Sequence, residues 1–194
     1  MALPFTDEQR LLIRNRLIQS AQRHAISDGV QKTSLDTLTS EAGISKSSFY
    51  KFYESKEMLF LEVAGLWENQ ILQSAHKMLI SGEELTSKER AARFVYAVFE
   101  VIHQLGLVRF LREDLPYLNA FLPRDMAREH CLTSARGIFD ALRQARIRFT
   151  EPDDTVLAVI QLMYLSILSI GDIGENFFPA LHMLVSSACD KLVA

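Results

Sequence analysis

Cysteine is scarce in this sequence, and its two copies are far apart. Cys131 and Cys189 are the only cysteines among 194 residues, too few for a disulfide framework. Neither a Cys-x-x-Cys pair nor a His-x-x-x-His pair occurs, so the usual zinc-binding spacings are missing. We therefore expect no metal, no cofactor, and a reducing compartment, the cytoplasm.

Long apolar runs and leader-like segments are missing too. The longest apolar run, residues 156–170, spans 15 residues and is interrupted by Gln161, Ser166 and Ser169, whereas a membrane-spanning helix needs about 20. Residues 1–10 contain no basic segment followed by an apolar core, as a signal peptide would. No glycine-rich phosphate loop occurs either. We expect a soluble cytoplasmic protein that contacts no membrane and is not an enzyme.

The sequence does show helical periodicity. Glycine and proline are sparse, at 8 and 5 of 194 residues, and apolar residues recur about every 3.6 positions rather than every second one. We therefore predict an all-α fold. The predicted helices cover residues 7–27, 35–42, 46–53, 56–80, 87–105, 107–121, 124–148, 153–171 and 175–193.

Four of the helix starts are also predicted by capping pairs. In such a pair a threonine is followed three positions later by an acid or an amide, and its hydroxyl accepts a hydrogen bond from the first turn of the helix. The pairs are Thr6 with Gln9, Thr33 with Asp36, Thr86 with Glu89, and Thr150 with Asp153.

Residues 35–53 predict two short helices joined by a sharp turn. Gly43 can adopt a positive φ, and Ser45 can cap the second helix. Phe49 and Tyr53 stand four positions apart, so both can face inward. The outward face then holds Lys46, Ser47, Tyr50 and Lys51. Basic and hydroxyl side chains on a short exposed helix are typical of a helix-turn-helix that binds DNA, and a merely solvated face is the alternative.

The charge is distributed unevenly along the chain. Residues 1–56 carry 8 basic and 6 acidic side chains, whereas residues 57–194 carry 13 and 18. Lys56 follows Ser55, the predicted cap of the next helix, where a cation opposes the helix dipole at a cost of about 0.3–1 kcal/mol. A bound phosphate would offset that cost, and pairing with Glu54 or Glu57 is the alternative explanation. Both features favour an anionic partner for the N-terminal part.

Three stretches carry a resemblance to a known family. Residues 29–35 (GVQKTSL), 41–46 (EAGISK) and 49–59 (FYKFYESKEML) resemble the DNA-binding domain of the tetracycline-repressor (TetR) family of bacterial transcription regulators. The resemblance implies a three-helix DNA-binding domain, residues 1–55, joined by a long fourth helix to a larger helical ligand-binding and dimerisation domain, residues 56–194. It also implies a homodimeric repressor that binds a palindromic DNA operator and releases it when a small-molecule effector binds.

The resemblance further implies which residues contact DNA. They are Thr33, Ser34, Ser45, Lys46, Ser47, Ser48, Tyr50, Lys51 and Lys56. Some positions depart from the family pattern: Ala25 stands where a larger aromatic is usual, and Thr39 stands in place of a customary alanine. Phe52 stands where a histidine or tyrosine usually touches phosphate. A phenyl ring cannot donate a hydrogen bond, so that contact is expected to be missing or redistributed.

Bulky residues after position 56 supply candidates for an effector site. Periodicity alone would assign them to an ordinary core, whereas the resemblance implies a cavity among them. The polar candidates are His103, Tyr117 and Tyr164, and the apolar candidates are Trp67, Phe99, Phe121 and Met163. Because the sequence shows no cluster of buried charge, we expect a largely apolar effector with one or two hydrogen-bonding groups. A small all-helical enzyme or carrier that uses the same cavity is the alternative function.

The last two predicted helices carry broad apolar stripes. A helix that is apolar nearly all round needs burial on more than one side. Two such helices can pair with their copies in a four-helix dimer interface, and the resemblance favours this over a buried central helix in a monomer. The predicted interface residues are Val156, Ile160, Met163, Ile167, Leu181, Leu184 and Ala188.

Overall fold

The structure, a computed structural model, describes residues 5–80, 84–122 and 124–194, and for residues 80 and 124–133 it describes the backbone alone. Within these ranges the chain forms helices and no β-strand, as predicted, and one isolated bridge joins Phe149 to Val193. The α-helices are α1 (Asp7–Ser27), α2 (Leu35–Ala42), α3 (Lys46–Phe49), α4 (Lys56–Ile80), α5 (Ser87–Gln104), α6 (Leu115–Asn119), α7 (Arg124–Gln144), α8 (Asp153–Ser166), α9 (Ile170–Ile173) and α10 (Phe177–Leu192).

The first, second and fourth helices have the bounds predicted from the sequence, but the third is shorter. Helix α3 ends at Phe49, and the chain continues in tight turns, in which the Phe52 amide donates to the Phe49 carbonyl at 2.8 Å. The predicted helix over residues 153–171 is also interrupted. Helix α8 ends at Ser166, and a short 3-10 turn separates it from α9.

Two of the four predicted capping pairs are confirmed. Thr6 with Gln9 and Thr86 with Glu89 form complete capping boxes. The prediction for Thr33 is wrong, because Ser34 caps α2 and the Thr33 hydroxyl donates to the Gly29 carbonyl. Thr150 likewise caps no helix, and its hydroxyl donates to the Lys191 carbonyl. In both cases the helix begins later than the capping pair implies, with Ser34 and Pro152 as the respective N-cap residues.

The chain divides into two compact units. The first contains the residues up to Trp67 together with Arg109–Phe121, and the second contains Glu68–Val108 and Leu122–Ala194. Helix α4 belongs to both, since its N-terminal half lies in the first unit and its C-terminal half in the second. The domain boundary expected after residue 55 stays a prediction.

The core of the first unit is formed by the inner faces of α1, α2 and α3. Its fully buried side chains include Leu17, Ala21, Ala25, Val30, Leu38 and Phe49. Residues 109–121 add a turn of π-helix over Phe110–Asp114 and then α6, where Pro116 stands in the first turn. The Phe110 ring packs edge to face against the Trp67 ring, with the ring centroids 4.9 Å apart. This segment is therefore an integral part of the first unit despite its distance along the chain.

The second unit is a helical bundle in which α10 packs on α5, and α7 packs on α8. Its fully buried side chains include Phe94, Val98, Phe99, Ile102, Ile138, Val156, Ile167 and Val185. The rings of Phe139 and Phe149 stack at 5.4 Å, and the Arg143 guanidinium lies over both. Together with the bridge at Val193, this stack holds the α7–α8 connection against the C-terminus.

By length and composition, the run Asp153–Leu192 is long and apolar enough to cross a membrane, with a mean hydropathy of 1.9 in its most apolar window. The run is not one regular helix, however. Gly174 has a φ of 67°, which breaks the helical path between α9 and α10. Helices α8 and α10 contain 14 and 16 residues, and each is shorter than the ~20 needed for a span.

A histidine of α1 contacts two carboxylates, one of which belongs to α2. The His24 Nδ1 lies 2.8 Å from Asp28 Oδ2, and its Nε2 lies 2.9 Å from Glu41 Oε1. Glu41 Oε2 also accepts hydrogen bonds from Ser20 and Arg23. The hydrogen bonds to Asp28 and then Glu41 raise the pKa of His24, and the hydrogen bonds from Ser20 and His24 lower the pKa of Glu41 to about 2. Both ring nitrogens donate only when the imidazole is charged.

Raising the pH should therefore weaken the first unit. Because the folded pKa of His24 is raised, its contribution is fully present below the ordinary value of 6.5 and is lost as the pH rises through the raised pKa. The Glu41 contribution is fully present above the ordinary pKa of 4.5 and is lost as the pH falls toward the lowered pKa of about 2, so both contributions are fully present between pH 4.5 and 6.5. His24→Gln should cost about 1 kcal/mol or less in that window, since both carboxylates are exposed.

Urea unfolding across this pH range measures the effect. The parent protein should lose stability above pH 6.5, whereas His24→Gln should lose much less. His182→Gln, at an exposed histidine of α10, serves as the matched control and should follow the parent. An equal pH dependence in the parent and in His24→Gln would contradict the prediction.

Candidate nucleic-acid interface

Helices α2 and α3 are joined by a turn whose geometry is fixed by two residues. Gly43 ends α2 with a φ of 73°, the left-handed conformation that favours glycine. Ser45 then caps α3, with its hydroxyl accepting a hydrogen bond from the Ser48 amide at 3.2 Å. Both features were predicted from the sequence. They hold α3 as a short helix that begins directly after the turn.

The predicted inner and outer faces of α3 and the turns after it are confirmed. Phe49 is fully buried and Tyr53 is 8% exposed. The exposed side chains are Lys46, Ser47, Tyr50 and Lys51. The face opposite the core is therefore open to a partner along its length, as a helix that approaches a DNA groove must be.

Three small hydroxyls lie together at the start of α3. The Ser45 hydroxyl is 2.9 Å from that of Ser47 and 3.0 Å from that of Ser48. Such side chains are short enough for the helix backbone to come close to a partner. Each hydroxyl can exchange its serine neighbour for a phosphate oxygen or a base edge.

Lys46 already has a carboxylate partner. Its Nζ lies 2.8 Å from Asp36 Oδ1, which links the start of α3 to the first turn of α2. Both side chains are more than half exposed, and an exposed ion pair contributes only about 0–1 kcal/mol. A DNA phosphate can therefore replace Asp36, but part of the Lys46 charge is neutralised until it does.

The structure gives Thr33 and Lys56 structural contacts. Thr33 is 3% exposed and its hydroxyl donates to the Gly29 carbonyl at 2.7 Å, so the predicted DNA contact through this side chain is wrong. Lys56 Nζ donates to the carbonyls of Val30 and Thr33, each at 2.9 Å. An ammonium group has three N–H donors, so one remains for a phosphate. The hydrogen bonds to these carbonyls also explain why the sequence tolerates a cation at the start of α4.

An open concavity of about 440 Å³ lies where α2 and α4 begin. Its lining residues are Gln31, Lys32, Thr33, Ser34, Leu35, Tyr50, Glu54, Ser55, Lys56 and Glu57. The free backbone N–H groups of both helix starts favour an anion here, as do Lys32 and Lys56. Glu54 and Glu57 oppose one, so the concavity suits a phosphate bound at its basic side.

The loop between α1 and α2 is held by residues 109–121. Arg109 Nη2 donates to the last carbonyls of α1, those of Ala25 at 2.6 Å and Ile26 at 2.9 Å. Asp114 is 4% exposed, and its Oδ1 accepts the Val30 amide at 3.0 Å. Burial raises the pKa of Asp114, an effect that this hydrogen bond opposes. Sequence reasoning missed this contact, because an acid beside Arg112 and Glu113 resembles a surface ion pair.

Among the cavities formed by the described residues, none is lined by the predicted effector residues of the first unit. Trp67 is buried against Phe110. The Tyr117 hydroxyl donates to Glu57 Oε1 at 3.3 Å. The ring centroids of Tyr117 and Phe121 lie 5.0 Å apart, and Phe121 is 53% exposed. The contacts of these three residues are therefore ring packing and one part-buried hydrogen bond.

The predicted effector residues in the second unit are also dispersed. Phe99 is fully buried, and His103 is exposed with its ring 5.3 Å from Phe178. Met163 lines a cavity of only about 20 Å³, which is room for one water molecule. Burial raises the pKa of Tyr164, which its hydrogen bond with Ser134 opposes.

A groove of about 420 Å³ in the second unit contains none of the predicted effector residues. Its lining residues are Leu72, Gln73, His76, Gly137, Asp140, Ala141 and Gln144. They stand three and four positions apart on α4 and on α7, so each helix contributes one face. Gly137 allows the helices to approach, since a Cβ there would lie 2.8 Å from Leu72 Cδ1. The helical spacing was visible in the sequence, but nothing in it indicated that these two faces meet.

Four predicted dimer residues are already buried within the single chain. Val156, Ile160, Ile167 and Leu181 are each at most 5% exposed, so they can add almost no area to an interface, and their assignment to one is wrong. Met163 and Ala188 line the small cavity described above. Leu184 is 60% exposed. Apolar side chains exposed on α8, α9 and α10 are Leu162, Leu165, Ile173, Met183 and Leu184.

Comparison with known proteins finds a family match within the first unit. Residues 17–63 match the family model described as bacterial regulatory proteins, tetR family. The match includes α2, the turn at Gly43 and α3, so it confirms the resemblance on which the sequence interpretation depends. No curated protein matches the sequence.

Solved structures share the fold along nearly the whole chain. A TetR-family transcriptional regulator from Pectobacterium atrosepticum is 20% identical with a TM-score of 0.63, and the match covers 94% of this chain and 93% of that one. A TetR-family regulator from Marinobacter aquaeolei is 16% identical with a TM-score of 0.55, and the match covers 97% of this chain and 99% of that one. PfmR, a TetR-family transcriptional regulator from Thermus thermophilus, is 19% identical with a TM-score of 0.58, and the match covers 89% of this chain and 97% of that one. At these identities the likeness establishes the fold, an N-terminal helix-turn-helix domain followed by a larger helical one.

Removing the Asp114 carboxylate should destabilise the first unit. Asp114→Ala leaves the buried Val30 amide without its acceptor, at an expected cost of about 1–3 kcal/mol in unfolding free energy. Asp114→Asn keeps an oxygen that can accept this hydrogen bond, so its cost should be smaller. Chemical unfolding measures both, with Glu113→Ala at the exposed neighbouring acid as the control. Equal losses in the alanine and asparagine variants would contradict this role.

Proposed function

We propose that this chain, whose residues 17–63 match the TetR-family model, is a homodimeric transcriptional repressor that binds a palindromic operator and releases it when a small molecule binds. The observation that carries the proposal is the exposed face of α3 and its following turns, Lys46 to Lys51, presented directly after the Gly43 turn and the Ser45 cap. The protein acts in the cytoplasm, where the DNA is, and not as an enzyme.

The DNA contacts divide into those that bind the backbone and those that recognise sequence. Lys51 is exposed and Lys46 is held only by an exposed ion pair, so both suit phosphates. Ser47 and Ser48, near the start of α3, are short enough to reach base edges, and Tyr50 can contact an edge or the adjacent backbone. Ser34, Ser45 and the remaining donor of Lys56 complete the set, while Thr33 supports the loop from inside.

A second copy of the chain is proposed to cover the exposed apolar side chains of α8 and α10. Leu162 and Met183 are about 70% exposed, and apolar side chains left in water contribute no burial energy to a monomer. One short helix also offers few phosphate contacts, and a two-fold axis doubles them. The half-sites would then lie about 34–36 Å apart, or a multiple of this, in an inverted repeat.

The groove between α4 and α7 is the proposed effector site. Its volume of about 420 Å³ lies within the range of ~300–1,000 Å³ found for small-molecule sites. Leu72 and Ala141 offer apolar surface, and His76, Asp140 and the two glutamines offer hydrogen bonds. The effector is therefore a small molecule with an apolar body and hydrogen-bonding groups. Because α4 is continuous from Lys56 to Ile80, an effector that favours one tilt of this helix would change DNA affinity.

Replacing Lys51 should test DNA binding directly. Lys51→Ala should weaken binding to all duplex sequences alike and reduce the slope of log affinity against log salt by about one unit for each subunit bound, because each subunit loses one phosphate contact. Lys77→Ala, at an exposed lysine of α4 in the second unit, should leave both unchanged. Titration of a labelled DNA duplex at several salt concentrations measures both quantities. If the parent protein fails to bind duplex DNA, the proposed function is wrong and the enzyme or carrier remains.

A charge on the exposed apolar surface should separate the subunits. Leu184→Glu buries an unpaired carboxylate in the proposed interface, so the dimer and high-affinity DNA binding should be lost together. Gln70→Glu, which adds the same charge at an exposed position of α4, is the matched control. Sedimentation gives the association state, and a monomeric parent protein would remove this part of the proposal.

A further inference from the structure

Two aromatic rings and two cations form a continuous row at the end of the α3 region. The rings of Phe5 and Phe52 lie 5.9 Å apart. The Lys51 ammonium lies 5.5 Å from the Phe5 centroid, and the Arg10 guanidinium lies 5.4 Å from the Phe52 centroid. Each distance is within the ~6 Å of a cation–π contact. The rings thus hold Arg10 of α1 near the same end of α3 as Lys51.

The position of Arg10 is fixed by its neighbours in sequence as well as by the ring. Thr6 and Gln9 form the capping box that starts α1, and the Arg10 amide donates to the Thr6 carbonyl at 2.8 Å. Phe5 precedes this cap, and Phe52 lies in the turns that follow α3. The start of α1 and the end of the α3 region therefore meet at this row of side chains.

Most other cations of the first unit are occupied by protein groups. Arg14 pairs with Glu62, Arg23 with Glu41, Lys46 with Asp36 and Arg112 with Glu113, while Lys56 and Arg109 donate to backbone carbonyls. In the described part of the chain, no carboxylate lies within ion-pair distance of Arg10 or Lys51. A cation over a ring face keeps its N–H donors available, because the ring occupies only one side of it.

We propose that Arg10 is an additional phosphate contact of the DNA interface and that Phe52 is its positioning residue. This inference rests on the proposed function. The stacked guanidinium has already lost much of its rotamer freedom, so little more is lost when a phosphate binds. Its planar fork matches the oxygens of a phosphodiester, and its location extends the basic surface from Lys51 to the start of α1. Asp7, one turn before Arg10, forms no ion pair with it and leaves this surface open.

Binding to a random-sequence DNA duplex at several salt concentrations tests the inference without knowledge of the operator. Arg10→Gln should reduce the slope of log affinity against log salt by about 0.9 for each subunit bound, as loss of one phosphate contact requires. Arg10→Lys should keep the slope and lower the affinity, because lysine lacks the stacked planar fork. Arg112→Gln removes the same charge from a paired, exposed arginine and should leave the slope unchanged.

A double-mutant cycle separates positioning from a structural role of Phe52. Phe52→Leu removes the ring face, so Arg10→Gln should cost much less in the Phe52→Leu background than in the parent. Thermal unfolding of each variant shows whether the domain is intact. A parent-like slope in folded Arg10→Gln would overturn the inference and leave the proposed function standing. Absence of salt-dependent DNA binding by the parent would overturn both.

Discussion

The backbone of Val30 is the point on which the first unit depends. Its amide donates to the Asp114 carboxylate, and its carbonyl accepts from the Lys56 ammonium. The carboxylate and the ammonium come from distant parts of the chain, and both form hydrogen bonds with the same residue of the α1–α2 loop. Since Ser34, the cap of α2, follows this loop directly, the same contacts set where α2 begins and hence where α3 is presented.

Such support is necessary because the helices that present the interface are short. Helix α2 has eight residues and α3 has four, and isolated helices of fewer than about 12–15 residues are marginal in water. Their stability must come from tertiary contacts. The long helices α1 and α4, with residues 109–121, provide these through Lys56, Asp114 and Arg109. Gly29 belongs to the same arrangement, because it has a φ of 91° and a Cβ would lie 3.2 Å from Arg109 Nη1.

Local features of the interface could be predicted from the sequence, whereas contacts between distant segments could not. The Gly43 turn, the Ser45 cap and the inward Phe49 each depend on residues within one turn of the chain. Thr33 was assigned wrongly because its hydroxyl has two acceptable partners, and only the folded loop decides between them. The apolar periodicity of residues 156–170 correctly indicates burial at Ile167, but periodicity does not say whether the covering surface belongs to the same chain or a copy.

A formal net charge of −3 is a poor guide to what this protein can bind, because the charges differ in how they are used. Arg14 and Arg23 lie in ion pairs inside the first unit, so their charges are already matched by carboxylates. Arg10 and Lys51 lie against aromatic rings, which attract a cation without neutralising it. A phosphate that binds Arg10 or Lys51 therefore breaks no ion pair, whereas one that binds Lys46 replaces Asp36. The electrostatics of the interface follow from the partner of each cation rather than from the number of cations.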